Sequence, residues 1–156
     1  MVVPNDLHTI LQSVTIFSGF NENEISEICA KCSCISRAQG DCIIEEDTDA
    51  TEIFVLLTGK VKIMLNMKEG PIELAEMGPG HCLGEASVIG VQQHSASVVL
   101  LEDSDFIVLS RKALMEIYSE NKDIFSLLIL NIARELARRL HKTDHTLIHY
   151  LDQKKS

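Results

Sequence analysis

The chain has 156 residues, 46% of them hydrophobic, and a formal net charge of −9 at pH 7. That is the length of one ordinary domain, with enough apolar residues for a core and far from a disordered composition. Residues 1–110 carry 5 basic and 17 acidic groups, whereas residues 111–156 carry 9 and 6; an acidic body argues against a free-standing nucleic-acid binder, which needs a basic surface.

The N-terminus does not read as a secretion signal, because Asp6 and His8 interrupt its apolar residues and no basic stretch precedes them. Leu7, Ile10, Leu11 and Val14 recur at helical spacing, and Ser18-Gly19 ends that segment. A second helix starts at Asn21, an N-cap whose partner Glu24 completes a capping box, with Phe20 and Ile25 at the hydrophobic-staple positions. Its apolar face is Ile25, Ile28 and Cys29.

From about residue 33 the period shortens. Apolar runs at 42–45, 52–57, 60–65, 72–77, 95–101 and 105–110 alternate with turns such as Thr58-Gly59 and Gly78-Pro79-Gly80. Short strands with a turn signal every 8–12 residues indicate an all-β sandwich, barrel or jelly roll. Residues 111–119 return to helical spacing, with Leu114, Ile117 and Tyr118 on one side. Residues 124–151 contain neither Gly nor Pro, which predicts one helix of roughly 28 residues and about 42 Å. Ile129, Ala133, Leu136, Leu140, Thr143, Leu147 and Tyr150 follow the 4-3 spacing of a coiled-coil seam. Such a projecting helix wants a partner, most simply a second copy of itself. No apolar run reaches the roughly 18 residues of a membrane span.

Residues 78–97 carry the chemistry. Gly84 lets backbone approach a ligand closely, Glu85 follows it, and the N–H groups of the small residues beyond can open a short helix that receives phosphate. A carboxylate there suits a ribose hydroxyl.

The order of elements and these residues resemble the cyclic-nucleotide-binding domain, the sensor module of catabolite-activator-type regulators, cyclic-nucleotide-dependent kinases and gated channels. The resemblance covers about residues 7–145. It rests on Ile16-Phe17, Gly40 with Ile43-Ile44-Glu45, the run from Glu52 to Val61, the run from Gly78 to Glu85, Ser95-Ala96 and Ala137-Arg138-Arg139-Leu140. It implies a mainly β fold, a double-stranded β-helix (jelly-roll) barrel with short N-terminal helices (1–32), strands over 33–110 and C-terminal helices over 111–151, all one domain of residues 1–156. It implies that Gly84 and the N–H groups of Glu85, Ala86 and Ser87 line a phosphate cassette and that Glu85 takes the ribose 2′-hydroxyl. Ser95 and Ala96 would cap the phosphate, Val61 and Leu83 flank sugar and base, and Arg139 and Thr143 meet the purine, with Asp144 contacting it from a neighbouring subunit. The ligand would be cyclic AMP or cyclic GMP, and the module a non-enzymatic cytoplasmic sensor that dimerises through residues 124–150.

One departure stands out. The family's phosphate-binding Arg falls on His94. Replacing a bidentate charged contact by imidazole costs about 2–4 kcal/mol. The pocket therefore binds a cyclic nucleotide weakly, binds another anion, or belongs to a ligand-free interaction scaffold. Only Ile148 to Ser156 remain, too few for the helix-turn-helix domain of the bacterial regulators; either the protein works without one or the sequence is a fragment, and direct DNA binding by this chain is not expected.

Three other constellations compete with the cassette. Cys29, Cys32 and Cys34, with Cys42 nearby, offer a metal or redox reading against that of reduced, buried thiols in a cytoplasm. His141, His145 and His149 recur at four-residue steps, a metal-chelating spacing or simply a polar helix face. Glu85 and His94 could form an acid–base pair, but a substituted cassette explains them better, and haem ligands do not transfer onto it.

Overall fold

The computed structural model describes residues 7–155; the side chains of Leu7 and His8 lie outside what it describes. The chain opens with helix α1 (Leu7–Gln12), a 3-10 turn (Thr15–Phe17) and helix α2 (Glu22–Cys29). Both arms of the expected capping box form. The Asn21 side chain accepts from the Glu24 N–H at 3.0 Å, and the Asn21 N–H donates to the Glu24 carboxylate at 2.9 Å. Phe20 and Ile25 are buried in one cluster.

Eight strands follow: β1 (Ser33–Arg37), β2 (Cys42–Ile44), β3 (Glu52–Thr58), β4 (Val61–Met67), β5 (Gly70–Met77), β6 (Cys82–Leu83), β7 (Ser97–Leu100) and β8 (Ser104–Ser110). Helix α3 (Glu85–Gly90) sits between β6 and β7, and α4 (Arg111–Glu120) and α5 (Lys122–Lys154) close the chain. The strands form two antiparallel sheets, in the orders β1-β8-β3-β6 and β2-β7-β4-β5.

The expected closed jelly-roll barrel is not what these strands build. Among the described residues no strand ladder joins the two sheets, so each remains open at its edges. Strands of three and two residues at β2 and β6 are too short to carry a ladder around a closed wall. Nor is the fold mainly β, because helices hold more residues than strands. It is a mixed α and β fold.

The first sheet is apolar on both faces, which follows from the unbroken burial of β3 and β8. One face turns Phe54, Leu56, Leu83, Phe106 and Val108 toward Ile44, Val61, Val98 and Leu100 of the second sheet. Phe54 and Phe106 meet edge to face there, with ring centroids 6.1 Å apart. The other face turns Ile53, Val55, Ile107 and Leu109 toward a helical layer that includes Leu11, Ile28, Leu114, Leu128 and Ile132.

Helix α5 starts two residues before the sequence predicts. Asn121 is its N-cap and accepts from the Ile124 N–H at 3.2 Å, so only one residue separates it from α4. Its 33 residues span about 50 Å. The first half packs on the domain, with Ile129 and Leu136 lying partly buried against the core. Asn131 is buried inside it and donates to the carbonyls of Ile16 at 3.0 Å and Ser18 at 2.8 Å. From residue 140 to residue 155 every residue is exposed, Leu140, Leu147 and Tyr150 among them. Of the predicted seam, Ile129 and Leu136 are half-buried against the chain's own core, whereas Ala133, Leu140, Thr143, Leu147 and Tyr150 are exposed.

Candidate functional site

Strand β6 ends at Leu83, and Gly84 turns the chain into α3 with φ of +81°. This left-handed backbone suits only glycine without strain. Space demands it too. A Cβ at Gly84 would lie 3.0 Å from the Glu52 carbonyl oxygen, 3.2 Å from the His94 Cε1 and 3.3 Å from the Ile44 Cδ1. The imidazole of His94 is therefore packed directly against the cassette glycine, ten residues away in sequence.

Glu85 opens α3 and is 1% exposed. Its carboxylate accepts a hydrogen bond from the guanidinium of Arg139 on α5. Burial pushes the Glu85 carboxyl above its ordinary pKa, against the pull of Arg139; Glu135, one turn back on α5, adds to the rise. Glu135 itself pairs with Arg138 at 3.2 Å. Arg111, the first residue of α4, braces the cassette from below: its Nη2 donates to the Ala50 carbonyl at 2.7 Å and to the Val88 carbonyl of α3 at 3.4 Å.

The cassette helix ends under tension. Val91 caps it with φ of +51°, an unfavourable backbone for a β-branched side chain, and is 74% exposed. The loop beyond it is stapled by paired backbone bonds, His94 N–H to the Thr48 carbonyl and Asp47 N–H to the His94 carbonyl, each 2.9 Å. These bonds fix His94 at the edge of a cavity of about 120 Å³. Ile43, Phe54, Glu45, Asp49 and Glu52 also line it. A cleft of about 280 Å³ shares Ile43, Glu52 and Phe54 with it. Burial holds the His94 pKa below its ordinary value. A neutral imidazole among carboxylates is a weak receiver for an anion.

The structure therefore brings Gly84 against His94, and Glu85 against Arg139. Ala86 is exposed and Ser87 buried, both in the first turn of α3. Ser95 is exposed and Ala96 half-buried in the approach to β7. Val61 and Leu83 are sealed in the core between the sheets. Thr143 is exposed and donates to the Arg139 carbonyl at 3.0 Å, one turn beyond the ion pair; Asp144 is exposed beside it. Sequence reasoning missed Glu135, Arg111 and Asn131 as the residues that hold these parts together.

The cysteines take a different character. Burial pushes the Cys29 thiol up to about 11 and the Cys32 thiol to about 12. Cys32 donates to the Ile28 carbonyl at 3.3 Å. Thiols held protonated are poor metal ligands and poor redox nucleophiles. Among the described residues, no group of three or more His, Cys, Asp or Glu side chains is placed to hold a metal ion. The redox and metal-cluster alternative finds no support.

Residues 35–121 match the family model described as the cyclic nucleotide-binding domain. The chain belongs to the cyclic nucleotide-binding domain family. It is 25% identical over 139 residues to the CRP-like cAMP-activated global transcriptional regulator of Mycobacterium tuberculosis, covering 88% of this chain and 60% of that protein. The Thermus thermophilus catabolite activator protein superposes with a TM-score of 0.76 at 27% identity, covering 85% of this chain and 61% of that one. A cyclic nucleotide-binding domain from Methylobacillus flagellatus shares the fold, with a TM-score of 0.83 at 23% identity over 92% of this chain and 81% of its own. The chain thus spans about 60% of the length of the regulators it matches. As a cyclic nucleotide-binding domain it is a regulatory sensor module rather than an enzyme, and its long helix has the form of a signalling helix. Among the described residues, no helix is long and apolar enough to cross a membrane.

Proposed function

We propose that the module binds a cyclic nucleotide with reduced affinity at the cassette formed by Gly84, Glu85, Ala86 and Ser87, and reports occupancy through α5 to a second copy of itself. The observation that carries this reading is the ion pair between the buried Glu85 and Arg139. It ties the cassette to the half of α5 that leaves the domain. A ligand that engages Glu85 competes with Arg139 for the same carboxylate, so occupancy and helix position are coupled. The size of that coupling equals the ligand's differential affinity for the two helix positions.

His94 takes the place of the phosphate-binding Arg, with Ser95 and Ala96 beside it. Val61 and Leu83 are the apolar residues nearest the sugar and base in this reading, and they need the sheets to part locally. Thr143 and Asp144 extend the contact surface along α5. Leu140, Leu147 and Tyr150, all exposed, supply the seam for the second copy. This is one regulatory unit over residues 1–156.

His94→Arg tests the reading. It restores a charged, bidentate phosphate donor. The expected result is cyclic AMP or cyclic GMP binding at least roughly tenfold tighter than in the parent chain. No gain with either nucleotide would refute a cassette that lacks only this contact.

A further inference from the structure

We propose that His141 and His145 form a chelate for one divalent transition-metal ion of the zinc, nickel and copper class, on the exposed half of α5. The two residues are four apart on one helix, so their side chains rise from the same face on adjacent turns. Their Nε2 atoms converge to 3.1 Å, with the rings edge to face and the centroids 4.5 Å apart. A metal ion bonds imidazole nitrogen at about 2.0–2.1 Å, so two ligands on one ion at 90–109° stand about 2.9–3.4 Å apart. The observed separation falls inside that window, with no rotation of the helix required.

Hydrogen bonding between the rings uses one proton between two nitrogens. In the chelate each neutral imidazole keeps its proton on Nδ1 and offers the Nε2 lone pair. Imidazole selects zinc, nickel and copper over magnesium and calcium, which prefer oxygen. Both rings are exposed, so loading needs no opening of the fold. No third protein ligand is placed with them among the described residues, which leaves the remaining positions to water. His149 is engaged elsewhere, with its Nε2 2.9 Å from the Gln153 side-chain nitrogen. The chelate closes one turn immediately beyond Arg139, where α5 has lost its packing against the domain. It therefore stiffens the exposed end of the helix and stabilises it by mass action.

Calorimetric titration of the untagged full chain with nickel chloride at pH 7.5 is the test, run on the parent, H145A and H149A. Both substitutions lie on exposed helix surface, so the fold is preserved, and circular dichroism checks it. The expected result is one equivalent bound by the parent and by H149A, weakened at least roughly tenfold in H145A. Equal binding by parent and H145A would place the metal elsewhere and overturn the proposal. Loss in H149A as large as in H145A, or no binding by the parent at millimolar nickel, would overturn it as well.

Discussion

The guanidinium of Arg139 on α5 donates to the carboxylate of Glu85, a side chain 1% exposed at the start of the cassette helix, 54 residues earlier. The pair is the physical link between the site and the helix that leaves the domain. Its energetics follow from burial. Glu85 stands above the ordinary carboxylate pKa because it is buried, and Arg139 is what limits the rise.

Arg139→Ala strands that carboxylate. Removing one partner of a buried pair costs about 3–5 kcal/mol, but Arg139 is 37% exposed and solvent screens part of it, so about 1–3 kcal/mol is expected. The folded-state pKa of Glu85 is raised, so its stabilising contribution is greatest at pH below the ordinary carboxylate value and is lost as pH rises through the raised one. R139A raises that pKa further. Its deficit in thermal midpoint against the parent chain should therefore shrink between pH 7.5 and pH 5, and Glu85→Gln added to R139A should recover most of it. A deficit independent of pH would show that the pair does not act through the charge of Glu85.

Gly84→Ala should destabilise the fold by about 1–3 kcal/mol. The new Cβ needs a left-handed backbone and meets the Glu52 carbonyl and the His94 ring. Urea unfolding measures it. A neutral result would mean that His94 does not sit against this glycine.

Asn131→Leu keeps the branched side-chain shape and removes both donors to Ile16 and Ser18. Two carbonyls are then left without their partner, and a loss of about 2–3 kcal/mol in urea unfolding is expected. An unchanged midpoint would mean that water replaces the amide there.

The residues differ in what they disclose. The capping box at Asn21 and Glu24 is local chemistry three residues apart, so it is legible. The true start of α5 hides behind Lys122 and Asp123 because a first helical turn is polar by nature. Strand alternation reveals that Phe54 and Ile53 face opposite layers, but says nothing about whether sheet edges meet, so the closed barrel was expected and two open sheets formed. Gly84 beside His94 follows from the family resemblance, whereas Arg111, Asn131 and Glu135 do not. A buried polar residue in a helix looks like any solvated face until the distant carbonyl or carboxylate it serves is in place. Val91, with its positive φ, gives no sequence signal at all.

The proton on His94 governs the central claim. Burial holds its pKa below the ordinary value, so the free site is neutral at pH 8 and gains positive charge only as pH falls. A cyclic phosphate favours the imidazolium, so binding takes up a proton and strengthens on acidification. Calorimetric titration of the full chain with cyclic AMP and cyclic GMP at pH 6 and pH 8 measures this directly. The expected result is binding of at least one nucleotide at pH 6 that weakens roughly tenfold by pH 8. No heat at either pH with millimolar nucleotide would contradict a working cassette.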